Sequence, residues 1–234
     1  DWGCRLRVFD ASNPVAPRLL AEYGGGQSAS SVRVVGNLAY LGEVEGKLET
    51  LDVSTPYAPV LLGEYLAPGP VGNVQLTGSL ALLTIGRAPP QIVDVSNPPA
   101  PTFVGECPVV DCSHVELVGD VAYLCDSEGL LSICDISDPS APQLLGSFDA
   151  ENWVYGLGVA DGRAYLSDWR DGLQILDVSN PTAPLLLGGY RATASVYDVR
   201  SRGGLLYVLD QNRGLEIRDV TDPAHPALLS TYTA

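Results

Sequence analysis

His114 and His225 are the only imidazoles in this 234-residue chain, so a three-histidine metal site cannot be built within it. His114 has the better company. Glu116 follows two residues later, and Asp198 and Arg200 stand at the matching places two repeats onward. A histidine beside carboxylates can shuttle protons, and an arginine can grip a carboxylate with two parallel hydrogen bonds. Counted back from a recurring Ala-Tyr-Leu-like segment, the ninth residue is Ser31, Asn73, His114, Gly156 and Asp198 in turn. The seventh is Arg33, Gln75, Glu116, Gly158 and Arg200. Val32, Val74, Val115, Leu157 and Val199 lie between them. The apolar side is constant and the polar side varies, as a specific site requires and a symmetric scaffold does not. Arg33, Asn73, Gln75, His114, Glu116, Asp198 and Arg200 are therefore ligand-binding candidates. A polar mouth filled only with water is the competing reading.

The three tryptophans, Trp2, Trp153 and Trp169, add a second set, since exposed indoles anchor protein or sugar partners. Burial over the end of a sheet is the alternative. Asp1, Asp126, Asp168 and Asp210 recur at one repeat position. Calcium ligation through their oxygens is the sharper reading, and loop capping the more ordinary one. No Asp-x-Asp-x-Asp-Gly loop is present, and no Gly-x-Ser-x-Gly, zinc-ligand or P-loop pattern either. No cofactor or metal is expected, calcium being the weak exception. Of the five cysteines, Cys107 and Cys112 flank one loop and are a candidate disulfide. Cys125 and Cys134 are offset too far along neighbouring strands and read as buried thiols. Cys4 has no partner in view, which leaves an upstream segment or another chain.

The elements that position these residues follow from the repeat. Asp-x-Ser/Thr-x-Pro begins at Asp10, Asp52, Asp94, Asp135, Asp177 and Asp219, with a second proline three residues after the first each time. The prolines fix φ and stop ladder extension, while the Asp and Ser side chains satisfy turn amides. Before the turn runs an alternating strand such as Leu173–Asp177. After it comes an apolar run ending in glycine and an aromatic, as in Leu61–Tyr65. A second alternating run, a Gly-Asn or Gly-Asp hairpin turn (Gly36-Asn37, Gly119-Asp120) and Ala-Tyr-Leu complete the unit. Four short strands in about 42 residues is the period of a β-propeller blade. Loops from one end of each blade then gather around a central channel, which places the polar residues at its mouth and Asp198 across it from His114.

The strings Leu-Gln-Ile-Leu-Asp-Val-Ser-Asn-Pro (173–181) and Gln-Ile-Val-Asp-Val-Ser-Asn-Pro (91–98) resemble the LVIVD-repeat family over essentially the whole chain. That resemblance implies a propeller, often secreted or on the cell surface, and carries no catalytic residues over. The expected fold is all-β: a six-bladed propeller of four-stranded antiparallel blades within a single domain, 1–234. Its first blade, 1–23, lacks the two inner strands, and the others are 28–65, 70–107, 112–148, 153–190 and 195–232. Five blades plus an N-terminal hairpin is the alternative. The absent strands would come from upstream residues or from another chain.

Composition narrows the partners. Hydrophobic residues make up 46 % and charged residues 18 %, which excludes a disordered chain. A net charge of −15 repels phosphate backbones, so nucleic acid is not an expected partner. No apolar run is long enough for a transmembrane helix. No signal peptide is visible, and a start at Asp1 reads as a mature or truncated product. The expectation is a non-catalytic, acidic, extracellular or cell-surface propeller that binds protein or carbohydrate. An enzyme with a polar site at the channel and a structural subunit of a larger extracellular assembly are the alternatives.

Overall fold

The computed structural model describes residues 6–24, 28–168, 172–192 and 195–233, all of them strand, turn or loop. The chain divides into two compact units, Asp1–Glu106 and Cys107–Ala234.

The first unit opens with a two-stranded sheet, β1 (Leu6–Asp10) and β2 (Arg18–Tyr23). Two four-stranded sheets follow. One is β3 (Ala29–Val35), β4 (Leu38–Glu43), β5 (Lys47–Asp52) and β6 (Val60–Leu66). The other is β7 (Val71–Thr77), β8 (Leu80–Ile85), β9 (Ala88–Asp94) and β10 (Thr102–Glu106). Neighbouring strands pair antiparallel in chain order. The second strand of each sheet is buried on both faces, because the sheets pack face to face. Tyr40 and Leu48 meet Val71, Val74, Leu83 and Val93 in one core, and Leu6 and Tyr23 cover Ala39, Leu41 and Leu51 in another. Val32 is 41 % exposed although its counterpart Val74 is fully buried. Val74 packs beside Tyr40 of the preceding sheet. The two-stranded first sheet has no such strand to offer Val32 among the described residues.

The second unit holds three four-stranded sheets. They are β11 (Cys112–Val118), β12 (Val121–Asp126), β13 (Leu130–Asp135) and β14 (Gln143–Asp149); β15 (Val154–Ala160), β16 (Arg163–Asp168), β17 (Gly172–Asp177) and β18 (Leu185–Tyr190); and β19 (Val196–Arg202), β20 (Leu205–Asp210), β21 (Gly214–Asp219) and β22 (Ala227–Tyr232). The hairpin joining β15 to β16 turns at Asp161-Gly162 and that joining β19 to β20 at Gly203-Gly204, all at positive φ as a tight type I′ turn demands.

The recurrent aspartates act as turn formers. Oδ1 of Asp10, Asp52, Asp94, Asp135, Asp177 and Asp219 each accepts the backbone N–H two residues on, at 2.8–3.0 Å. The Ser or Thr two residues on holds each carboxyl below its ordinary pKa, first through its hydroxyl at Asp52 and Asp177 and first through its backbone N–H at Asp10, Asp94, Asp135 and Asp219. A register shift marks the third-to-fourth strand pairing of every complete sheet and the β1–β2 pairing. A second shift recurs in the first-to-second strand pairing, just before the polar positions singled out above. Such a bulge re-aims the side chains beside it.

Candidate functional site

In the first unit the polar positions pair with the adjacent strand. Arg33 Nε donates to Gln75 Oε1 at 3.2 Å, and Ser31 Oγ accepts the Val74 amide. The Asn73 amide N–H donates to Thr84 Oγ1 at 2.8 Å. The Asn73 Oδ1 is buried with no hydrogen-bond partner among the described residues.

In the second unit the reach is longer. Arg200 Nη1 on β19 donates to Glu116 Oε1 on β11 at 3.2 Å, passing over the whole of β15. It also donates to the Leu157 carbonyl at 2.9 Å and lies 3.4 Å from Asp198 Oδ1. The bridge exists because β15 carries glycine at both polar positions. A Cβ on Gly156 would stand 3.0 Å from Asp198 Cα and 2.8 Å from Ser167 Oγ, and one on Gly158 would stand 3.1 Å from the Val199 carbonyl. β19 therefore settles close against β15 and its arginine crosses. His114, Glu116, Asp198 and Arg200 form one cluster. This corrects the expectation that Asp198 lies across a channel from His114: the intervening strand is too thin to separate them.

Beside the cluster lies a cleft of about 350 Å³ lined by Ser113, His114, Ser127, Glu128, Trp153 and Tyr155. Trp153, in the loop before β15, is 52 % exposed. Tyr155 meets Tyr197 edge to face, with ring centroids 6.3 Å apart. The row Trp153–Tyr155–Tyr197 is thus an aromatic wall with His114 at its foot. Burial pushes the His114 imidazole below its usual value; the Tyr155 carbonyl and Asp198 pull it back up, and Arg200 pushes with burial. The ring is neutral at pH 7, and its Nδ1 lies 2.9 Å from Ser113 Oγ. Ser113, Tyr155 and Tyr197 were not among the sequence candidates. All three sit at the bulge, where alternation gives no facing, and two tyrosines at one repeat position in successive copies were the available signal.

A model of the LVIVD repeat matches residues 26–67, 83–109, 111–150, 155–192 and 195–234. The chain belongs to the LVIVD-repeat family. Solved structures agree on the fold. A functionally unknown protein from Desulfotomaculum acetoxidans superposes with a TM-score of 0.78 at 12 % identity, over 92 % of this chain and 73 % of that one. The β-propeller domain of Cps50 (Swd1) from Myceliophteria thermophila gives 0.71 at 14 % identity, over 93 % and 76 %. The computationally designed protein Ika8 gives 0.74 at 11 %, over 92 % of this chain, which spans 65 % of its length. A search of curated proteins gives no match. The fold is a β-propeller, and the number of sheets fits six blades.

Other sequence candidates of this LVIVD-repeat protein fall elsewhere. Trp2, Trp169 and Cys4 lie outside the described residues. Asp126 Oδ1 accepts the Gly129 and Leu130 amides, and Asp210 Oδ1 those of Asn212 and Arg213, so both cap the loops they begin. Cys107 and Cys112 are not bridged; both are free and buried, as are Cys125 and Cys134. The pairing fails because the sulfurs face different ways. Cys112 Sγ points to the Val110 carbonyl, whereas the Cys107 thiol meets that of Cys134.

Proposed function

We propose that this LVIVD-repeat propeller is a non-catalytic binding module, secreted or displayed at the cell surface, that takes a protein or carbohydrate partner in the Trp153 cleft. One observation carries the reading: exposed Trp153, in the loop that enters β15, and Tyr155 on that strand border His114 and an arginine–carboxylate bridge. Indole and phenol faces supply contact area at little entropic cost, and Ser113, Ser127, Glu128 and His114 offer hydrogen bonds to orient a ligand. Arg200 is neutralised by Glu116 and Asp198, and no lysine or arginine lines the cleft among the described residues.

Titration of oligosaccharides and peptides, followed by tryptophan fluorescence and calorimetry, tests this. Trp153→Ala is expected to weaken binding of a recognised ligand roughly 30-fold, the scale of an interface hot spot. A ligand held equally well by the Trp153→Ala and His114→Ala variants would place binding elsewhere. A second reading, an enzyme in the same cleft, draws on the Ser113–His114 contact, in which a neutral imidazole could accept the hydroxyl proton. Turnover of an activated ester, abolished by Ser113→Ala, would replace the binding reading with that one.

A further inference from the structure

Two repeat positions touch wherever the fold brings them together. The first stands within one residue of the end of the last strand of a repeat: Tyr23, Tyr65, Cys107, Phe148 and Tyr190. The second lies on the third strand of the next repeat: Leu51, Val93, Cys134, Leu176 and Arg218. Tyr23 packs in the core of Leu51, Tyr65 in that of Val93, and Phe148 in that of Leu176. The Arg218 guanidinium lies 3.5 Å from the centre of the Tyr190 ring. In four copies an aromatic ring makes this contact. In the fifth, both positions are cysteine. The residue two before the second position changes with them. The tyrosines donate to Glu49, Gln91 and Glu216, whereas beside Cys107 stands Ser132, too short to receive a phenol. Beside Phe148 the glutamine is kept but turns away to the Ala150 carbonyl. The exchange at 107, 132 and 134 is therefore concerted.

We propose that Cys107 and Cys134 are the two halves of a disulfide that replaces, in this one repeat, the aromatic contact of the others. Both residues belong to the second unit, both are fully buried, and they occupy the two positions that pack together in the other repeats. The remaining buried sulfurs are turned elsewhere, Cys112 to the Val110 carbonyl and Cys125 to that of Asp126. The Cys107 thiol holds Cys134 below its usual pKa, while Cys107 itself is pushed up. Either sulfur can attack first, and the products are the same. Burial pushes Cys112 up to about 12 and Cys125 up as well, which keeps them as thiols.

The step is a thiol–disulfide exchange with a small disulfide such as oxidised glutathione. With Cys134 first, its thiolate attacks one glutathione sulfur, breaking that S–S bond and releasing the first glutathione thiolate. Cys107 then loses its proton and attacks Cys134 Sγ, releasing the second. One S–S bond is consumed and one formed; two electrons and two protons end on two reduced glutathiones. A cleft of about 320 Å³ lined by Pro108, Cys112 and Ser132 opens beside the pair.

The test is equilibration of the full chain in a glutathione redox buffer while it refolds from denaturant, followed by alkylation and peptide mapping. The stretch from residue 88 to 162 holds no lysine or arginine, so trypsin leaves Cys107, Cys112, Cys125 and Cys134 on one peptide, apart from Cys4. Cleavage at Glu106, Asp111, Glu116 and Glu128 separates them. The expected product is a cross-linked pair of peptides holding Cys107 and Cys134, two hydrogens lighter than the reduced pair. It persists in Cys112→Ala and vanishes in Cys107→Ala and in Cys134→Ala. The oxidised protein melts about 5–10 °C above the reduced one, and that gap closes in Cys107→Ala. Alkylation of both Cys107 and Cys134 after oxidation, or a Cys107–Cys112 or Cys112–Cys125 peptide in place of the expected one, would overturn the proposal. Neither result depends on the ligand cleft.

Discussion

The two units use the same two repeat positions in opposite ways. In the first, Arg33 reaches one strand, β3 to β7, and stops at Gln75, a neutral partner 42 residues away. In the second, Arg200 at the equivalent position reaches two strands and finds Glu116, 84 residues away. The arginines do not differ; the neighbouring strand does, for β7 meets Arg33 with the Gln75 side chain and β15 meets Arg200 with glycine. β15 carries Gly156 and Gly158 where the other inner strands of the chain carry polar side chains, and removing those side chains lets the neighbour close in. A bridge of opposite charges follows from two missing side chains. In a repeat fold, subtraction at one copy makes a site as effectively as addition.

Restoring a side chain to β15 should break that difference most severely. Gly156→Val places branched carbons against Asp198 Cα and Ser167 Oγ. We expect a loss of about 3 kcal/mol, at the upper end for overpacking, read as a lower urea midpoint. The same change at Ser31, the equivalent position in the first unit, should cost less than about 1 kcal/mol, because Ser31 is only half-buried and already bears a side chain. Equal losses at the two positions would mean that the glycines are not what brings β19 close.

Most of the fold was legible, because turn chemistry and strand alternation are local and recur in register. The Asp-x-Ser/Thr-x-Pro string predicts a turn whose aspartate accepts an amide two residues on, and each of the six copies does so. The site was legible only in part. His114, Glu116, Asp198 and Arg200 were singled out by their alternation with buried Val115 and Val199, and the structure brings the four together. Their mutual distance was not, since it depends on how closely β19 approaches β15, and Gly156 and Gly158 were read as blanks in a series. Ser113, Tyr155 and Tyr197 were missed because a bulge breaks the two-residue rhythm at those places. The Cys107–Cys112 pairing failed for a related reason: closeness in sequence says nothing about which way two sulfurs turn at the ends of a loop.

A smaller effect separates the two arginines. Arg200→Ala removes the Glu116 bond and the bond to the Leu157 carbonyl. Because Arg200 is 56 % exposed and water screens the pair, about 1 kcal/mol is the expected cost. A double-mutant cycle with Glu116→Gln should recover a coupling of about 0.5 kcal/mol that shrinks in high salt. Arg33→Ala, which loses a neutral partner, should show a salt-independent cost. A salt-insensitive coupling between positions 116 and 200 would remove the ion pair from the description of the cleft.

The smallest expected effect is a pH dependence confined to the second unit. Burial lowers the His114 pKa in the folded protein below the ordinary imidazole value of 6.5 that the unfolded chain approaches. The unfolded state therefore binds more protons in the window below 6.5, and folding stability falls as the pH falls through it. The contribution is fully present above 6.5 and is lost as the folded-state pKa is passed. Asp198 and the Tyr155 carbonyl favour the protonated ring and Arg200 opposes it, so Asp198→Asn should widen the window and Arg200→Ala narrow it. Urea midpoints measured between pH 7.5 and 5 for the parent chain and for His114→Gln isolate the effect, because every other titrating group is common to both. A parent that loses no more stability than His114→Gln across that range would show that the imidazole at the foot of the wall is already solvated, and the cleft wider and wetter than its lining residues imply.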